Sequence, residues 1–413
     1  MPKIVMKFGG TSLADLTRVK AVAEIIGAEL SRGNQIVVVV SAMAGHTNSL
    51  SSQVESISPL YDAREYSAIV STGENISAGL LALMLQKSSI NARSWQGWQV
   101  PIITTASYSS AQIVEIETGN LEKKFLEGMQ VAVVAGFQGI AADGRITTLG
   151  RGGSDTSAVA LAAALKADRC DIFTDVNGIY TTDPRICQNA RKLKKISYEE
   201  MLELASMGAK VLETRSVELA TRFKVKLRVL SSFENNLSDT KKGTLVCSEG
   251  EIVENKVIAG IAFSREEAKL TVTGIEDRPG IAANIFGALA DQSVNVDMIV
   301  QNISDNGLTD MTFSCPINQV LRAEQALKKA KESESLKYNK LVVDEGVAKL
   351  SIIGIGMKTH AGIAKMMFEA LAKESINIMV ISTSEIKISV LIQRKYLELA
   401  VQTLHDTFEL EKA

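Results

Sequence analysis

Cysteine and histidine are scarce in this 413-residue chain, which holds four of the first and three of the second. Cys170, Cys187, Cys247 and Cys315 lie far apart and form no C-x-x-C pair, so reduced, buried thiols are expected rather than a disulfide framework. His46, His360 and His405 are equally scattered, which argues against a zinc site built by the protein. Any metal would have to arrive with a phosphate ligand. No basic segment followed by an apolar core opens the chain, and no apolar run approaches membrane-spanning length. With a strand-like segment at Ile4–Phe8 standing directly at the start, the expectation is a cytoplasmic protein. The formal net charge of -2 gives no electrostatic reason to expect nucleic acid or an anionic membrane as partner. Several nucleotide signatures are missing too. No G-K dipeptide occurs, which removes the P-loop; no intact G-x-G-x-x-G opens a helix; and the H-R-D and D-F-G motifs of protein kinases are absent. If this chain handles ATP, it uses another cradle.

What is present is an ordinary globular composition, 46% apolar and 22% charged, in a chain long enough for two or three domains. Over roughly the first 230 residues, strands alternate with amphipathic helices. Ile4–Phe8 leads into a helix carrying Leu16, Val19, Val22, Ile26 and Leu30 at helical spacing. The buried-strand runs Ile36–Val40 and Val131–Val134 flank a helical region over Ala63–Leu85. The Ala-rich stretch Ser157–Lys166 reads as a helix and Cys170–Thr174 as the strand after it. Such alternation predicts an α/β fold, a largely parallel sheet sandwiched by helices. From Asn235 to Asn255 the chain turns polar and loop-like, the expected domain boundary.

Beyond that boundary lies an internal repeat. The segment from Ala268 aligns with the segment from Ala348, pairing Gly280 with Gly362, Leu289 with Leu371 and Asn295 with Asn377, each pair 82 residues apart. Each copy reads strand, helix, strand, strand, helix. The first closes with a strand at Lys340–Val343, whereas the second runs into the C-terminal helix with no strand left. A spare strand, Val257–Phe263, precedes the first copy; it is expected to complete the second, interlocking the two small domains.

Three segments carry candidate chemistry. Lys7-Phe8-Gly9-Gly10 ends the first strand and enters a helix, where glycines admit a ligand close to the backbone and the helix N-terminus favours anions. By itself this motif equally fits a tight turn beside a surface lysine. Leu149-Gly150-Arg151-Gly152-Gly153-Ser154-Asp155 lies between a strand, Ile146–Leu149, and the Ala-rich helix, an anion-binding turn whose Arg151 can fork onto a carboxylate. Ser154 and Asp155 alone could be helix caps, but capping does not explain three glycines around an arginine. Thr174-Asp175-Val176-Asn177-Gly178-Ile179-Tyr180, followed by Thr182-Asp183-Pro184-Arg185, is a polar loop after a strand, readable as turns or as groups for an adenine nucleotide. Ser41 to Thr47, Thr72-Gly73-Glu74 and Met207-Gly208-Ala209-Lys210 are each unremarkable alone.

Together, in this order along the chain, K-F-G-G-T-S, S-A-M-A-G-H-T, S-T-G-E, T-T-L-G-R-G-G-S-D-T-S-A, T-D-V-N-G-I-Y-T-T-D-P-R and M-G-A-K resemble the amino-acid-kinase family, and within it the aspartate kinases. The similarity covers essentially the whole chain, and the C-terminal repeat is similar to the paired ACT domains of regulated members. The resemblance implies an amino-acid-kinase domain over 1–245 and two interlocked α+β ACT-type (βαββαβ) domains over 264–345 and 346–413, the latter with a strand from 251–263. It implies transfer of the γ-phosphoryl group of ATP to the β-carboxylate of L-aspartate, which opens lysine, threonine and methionine biosynthesis. That carboxylate has a pKa near ~3.9 and is already ionised at neutral pH, so no general base is needed. By the resemblance, Lys7 is the cation on the phosphates, with Phe8, Gly9 and Gly10 beside it, and Asp155 orients it. Arg151, with Gly152 and Gly153, holds a substrate carboxylate, Glu74 holds the ammonium, and Thr47 and Ser154 complete the pocket. Ser41, Thr174, Asp175, Tyr180, Arg185 and Lys210 hold ATP, whose Mg²⁺ bridges phosphates without protein ligands. Lysine and/or threonine are the implied effectors. Their candidate contacts are Asp277, Arg278, Pro279, Gly280, Ile281, Ala282, Asn295, Gln301 and Ser304 in one unit, and His360, Asn377, Ile378 and Thr383 in the other. Pairing of such units implies a homo-oligomer.

Two rivals follow. A kinase of the same fold acting on glutamate, N-acetylglutamate or UMP is disfavoured by the Glu74 and Arg151 segments and the double tail. A catalytically silent amino-acid sensor on the kinase scaffold would predict decay of Lys7, Arg151 or Asp155, and all three are present. A fused homoserine dehydrogenase is expected to be absent, since no residues remain for a dinucleotide domain.

Overall fold

In the computed structural model, which describes residues 2–207, 211–234, 243–252, 257–303, 307–333, 335–360 and 362–412, alternation along the first strand sets the surrounding layers. Ile4, Met6 and Phe8 of Lys3–Phe8 turn into one core with Val19, Val22 and Ile26 of the helix Leu16–Leu30 and with Ala78, Leu81 and Leu85 of the helix Thr72–Lys87. Because side chains alternate across a strand, Val5 and Lys7 face the other way, toward the helix Gly153–Ala164. That helix is buried all round its first ten residues, as a helix inside a layered core must be.

The sheet they cover has eight strands in the order Lys195–Ser197, Thr244–Cys247, Leu227–Ser231, Arg169–Thr174, Lys3–Phe8, Gln35–Val40, Val131–Ala135, Ala92–Trp95. Every neighbouring pair is parallel except Leu227–Ser231 with Thr244–Cys247. The chain builds one flank of Lys3–Phe8 first and the other later, so the carboxyl end of that strand is a topological switch point, where open α/β sheets bind ligands. A second sheet, Ile113–Ile116, Ile102–Thr104, Gln138–Ile140 and Ile146–Thr148, delivers the chain into the glycine turn.

Some expectations shift. The helical region is two helices, Ala63–Val70 and Thr72–Lys87, meeting at Ser71. Taken together, 63–87 is long and apolar enough to cross a membrane by composition, contrary to the sequence reading, yet half of its most apolar window is buried. The Ala-rich helix begins at Gly153, so Ser154 and Asp155 sit inside its first turn; the N-cap is Gly152, at φ 65°. The polar stretch from Asn235 contains the strand Thr244–Cys247, short and hidden in sequence by its surroundings.

Contacts divide the chain into two compact units, and the second takes 180–191 and 207–209 out of the N-terminal region together with residues beyond 254. It holds two four-stranded antiparallel sheets. One is ordered Asp297–Ile303, Leu308–Pro316, Glu267–Glu276, Lys340–Asp344, with helices Ile281–Asp291 and Val320–Glu332 sharing its core. The other is Gly260–Ser264, Val347–Ile353, Lys387–Gln393, Ile378–Thr383, with helices Ile363–Lys373 and Leu397–Thr407. The strand expected at Val257–Phe263 runs over Gly260–Ser264 instead, and it completes the second repeat, pairing antiparallel with Val347–Ile353. The repeats are joined by a cluster of Met298, Val380 and Leu391 and by Lys349, whose Nζ lies 2.6 Å from Asp297 Oδ2 and 3.6 Å from Glu267 Oε1.

Candidate functional site

The carboxyl end of Lys3–Phe8 opens into a pocket of about 330 Å³. Three helix N-termini converge on it: Thr47 and Asn48 from His46–Ile57, Glu74 from Thr72–Lys87, and Gly153, Ser154 and Asp155 from Gly153–Ala164. Each presents backbone N–H groups and the positive end of a dipole, a combination suited to anions. Lys7, Gly10, Ser41 and the residues from Ala42 to Gly45 form another wall, with Gly150, Arg151, Gly152 and Phe137 opposite. A Cβ on Gly10 would stand 2.7 Å from the Ala42 carbonyl oxygen, so the two loops approach as closely as they do only with glycine there.

Inside the pocket Lys7 Nζ lies 2.6 Å from Asp155 Oδ1, both side chains almost buried. The pair follows from register: Lys7 is the last residue of its strand to face the helix whose first turn carries Asp155. Glu74 is 3% exposed; its Oε1 accepts from the Ala42 N–H at 3.0 Å, and its Oε2 has no hydrogen-bond partner among the described residues. Burial raises its pKa to about 7 against the pull of the Ala42 N–H. A carboxylate so placed awaits a donor, and a ligand ammonium would supply one.

The expected site residues are only partly gathered here. Lys7, Gly10, Ser41, Thr47, Glu74, Arg151, Gly152, Gly153, Ser154 and Asp155 line one pocket. Phe8 does not: its ring is fully buried and stacks on Phe173, centroids 4.6 Å apart, on the far face of the sheet. The Gly9 N–H donates to the Phe173 carbonyl at 3.2 Å. Thr174 and Asp175 close the neighbouring strand, the Thr174 hydroxyl donating to Asp175 Oδ1 at 3.0 Å. Tyr180 and Arg185 belong to the segment grouped with the second unit. Lys210 and Ser304 lie outside the described residues.

Two lining residues, Asn48 and Phe137, and two supporting ones, Glu213 and Arg215, lie outside every segment singled out from sequence, while Ala42, Met43, Ala44, Gly45 and Gly150 were quoted there without a role. Phe137 has φ 68°, a conformation unusual for a bulky residue, and its carbonyl accepts from the Leu149 N–H at 2.9 Å. Glu213 packs beneath the glycine turn, where burial and then Asp155 raise its pKa. The A-G-F-Q-G run was the one local signal for Phe137.

In the repeats, Gly280 and Gly362 are equivalent N-caps, at φ 92° and 98°, of the helices Ile281–Asp291 and Ile363–Lys373. Asp277, Arg278, Pro279, Ile281 and Ala282 surround the first cap, and the Asp277 N–H donates to the Gly307 carbonyl at 3.1 Å. His360 precedes the second, its Nδ1 2.8 Å from the Gly356 carbonyl oxygen. Asn295 and Asn377 come just before Asp297–Ile303 and Ile378–Thr383, strands that lie against each other, with Gln301 on the first and Ile378 and Thr383 on the second. Similar positions in the two copies therefore meet about one interface.

A family model described as the amino acid kinase family matches residues 2–231, and the ACT domain matches twice, at 270–332 and 350–408. The class is thus an amino acid kinase carrying paired ACT domains. An aspartate kinase of Pseudomonas putida is 49% identical over 100% of this chain and 98% of that protein. An aspartokinase of Helicobacter pylori is 49% identical over 99% of this chain and 100% of its own. Among solved structures, E. coli aspartokinase III in complex with aspartate and ADP has a TM-score of 0.81 and 27% identity, covering 98% of this chain and 99% of that one. The same enzyme in complex with lysine and aspartate has a TM-score of 0.77 at 28% identity, covering 98% and 99%. The chain belongs to the aspartate kinases of the amino acid kinase family.

Proposed function

We propose that this protein transfers the γ-phosphoryl group of ATP to the β-carboxylate of L-aspartate, giving 4-phospho-L-aspartate and ADP. A β-carboxylate oxygen attacks the γ-phosphorus as the bond to the ADP oxygen breaks, so no proton moves at the acceptor. The obstacle is the approach of an anion to a polyanion, and positioned cations and dipoles answer it. The observation that carries the reading is the convergence of Lys7, Glu74, Arg151 and Asp155 on one pocket among three helix N-termini.

In this reading Lys7 contacts the phosphates and Asp155 fixes its ammonium. Arg151 takes the substrate α-carboxylate, helped by the Gly152 and Gly153 backbone. Glu74 takes the substrate ammonium, while Thr47 and Ser154 close around it. Gly10, Ser41, Thr174 and Asp175 serve the nucleotide, with Gly9 and Phe8 acting through backbone alone. Tyr180, Arg185 and Lys210 are assigned to the nucleotide on their motifs. The donor set fits Mg²⁺ carried on the nucleotide: Asp155 already faces Lys7, and no three His, Cys, Asp or Glu groups assemble as metal ligands among the described residues. Bound there, the ion would offset phosphate charge.

The first unit is taken as the catalytic domain, and 264–345 and 346–413, with the strand before them, as effector domains for lysine and/or threonine. The equivalent caps at Gly280 and Gly362 favour effector binding between the repeats. A homo-oligomer formed through these domains and a cytoplasmic location complete the proposal; four buried free thiols accord with a reducing compartment. Aspartyl-hydroxamate formation from ATP, Mg²⁺ and aspartate, with and without lysine plus threonine, tests it. Activity suppressed by the amino acids is expected. Turnover with glutamate or UMP, and none with aspartate, would refute the substrate assignment.

A further inference from the structure

Arg151 is exposed, and among the described residues no hydrogen bond or ion pair holds its guanidinium. Beyond the attraction of the Glu213 carboxylate, its aim rests on the backbone beneath it, which runs through Gly150 and Gly152, both at positive φ. Glycine turns lose the most freedom on ordering and need external fastening. The strand side supplies part of it: the Leu149 N–H donates to the Phe137 carbonyl at 2.9 Å, and the Thr148 carbonyl accepts from the Ala111 N–H at 2.9 Å. The last carbonyl before the turn, that of Leu149, is held by a side chain instead. Arg215 Nη1 donates to it at 3.0 Å, while Nη2 of the same guanidinium donates to the Ala111 carbonyl at 2.9 Å. Arg215 is half-buried and loses hydration to do so, since burial depresses its pKa. From the same helix start, Glu213 underlies Gly152, where a Cβ would approach its Cγ to 2.3 Å.

We propose that Arg215 is a positioning residue for the reaction: its forked guanidinium fixes the Leu149–Gly152 backbone and thereby aims Arg151 and Ser154 at the amino-acid substrate. This rests on the proposed function in naming that substrate, but the clamp itself does not. A lysine can reach one carbonyl and not both, since only guanidinium offers a rigid fork. The test compares the full-length wild type with Arg215→Lys and Arg215→Met. Steady-state kinetics in aspartate and in ATP are paired with amide hydrogen exchange over residues 149–154. Met is expected to raise the KM for aspartate about tenfold, the weight of one charge-assisted hydrogen bond. The KM for ATP should change less than about twofold, with Lys intermediate and exchange in 149–154 accelerated. If Met does not fold, Lys alone decides. Unchanged exchange, or equal rises in both KM values, would overturn the proposal. A wild type inactive on aspartate would refute the substrate reading instead, and the exchange data would still decide the clamp.

Discussion

Glu74 shows how one buried side chain can tie binding to pH. Its carboxyl is held near 7 by burial, so at pH 6 the unliganded pocket is mostly neutral there and at pH 8 mostly anionic. If the anion receives the substrate ammonium, kcat/KM for aspartate should fall about tenfold per unit below pH 7. Glu74→Gln should flatten that limb and raise the KM across the range. A wild-type profile flat from pH 6 to 8 would contradict the assignment. Stability should move the opposite way. A carboxyl with a raised folded pKa favours the protonated native state, a contribution fully present below its unfolded value of 4.5 and lost as pH rises through about 7. The loss is about 3 kcal/mol at most, and bound substrate should offset it. Lys7 and Asp155 differ in kind. Their partnership is internal, 2.6 Å long, and present before any ligand arrives.

The strands and helices that aim those residues depend on a charged cluster elsewhere in the same layer. Asp171 is fully buried on Arg169–Thr174. It accepts from Arg228 Nε at 2.9 Å and Nη2 at 2.7 Å, and from Arg169 Nε at 3.0 Å. Arg169 also reaches Glu29 of the helix Leu16–Leu30 at 2.5 Å. One carboxylate thus ties two adjacent strands, and through Arg169 the helix covering them. Asp171→Ala would leave two guanidinium groups facing a cavity, and should cost about 3 kcal/mol in denaturant unfolding. A loss below about 1 kcal/mol would mean that the arginines simply rehydrate. Asp171 was invisible in sequence because it interrupts an apolar run with no partner in view. The same applies to Arg215, whose acceptors are carbonyls 66 and 104 residues earlier. By contrast, the helix at Leu16–Leu30 and the strands around Ile36 and Val131 were readable from local periodicity. So was the glycine turn around Arg151, since composition alone marks a backbone made for close approach, whereas Lys7 was singled out only by the order of motifs along the whole chain. Short strands such as Thr244–Cys247 were not, because their pairing energy lies in distant partners.

At the scale of the whole chain, connectivity decides what can be removed. The second repeat borrows Gly260–Ser264 from before the first, and buries Ile258 and Ile261 in its own core. That borrowed strand also carries a piece of the N-terminal half. The Ile261 N–H donates to the Thr181 carbonyl at 2.7 Å, and Thr181 Oγ1 lies 3.0 Å from His405 Nε2 in the last helix, both residues fully buried. Gln402 donates to the Ile186 carbonyl at 2.8 Å, and Arg191 to the Leu410 carbonyl at 3.3 Å. The segment 180–191, which contains Tyr180 and Arg185, is therefore fastened from the C-terminus. Its polar sequence gave no sign of this, since a T-D-P-R turn looks the same whichever surface receives it. Deleting 346–413 should thus not yield a simply desensitised kinase. It would uncover the apolar face of Gly260–Ser264, with about 1.5–3 kcal/mol lost for each isoleucine returned to water. It would also leave an unpaired strand edge open to other chains. The truncated chain should melt several degrees lower, bind a hydrophobic dye and self-associate in gel filtration. A soluble truncation with wild-type melting and full, effector-blind activity would show that the strand and the 180–191 segment hold their places without the second repeat.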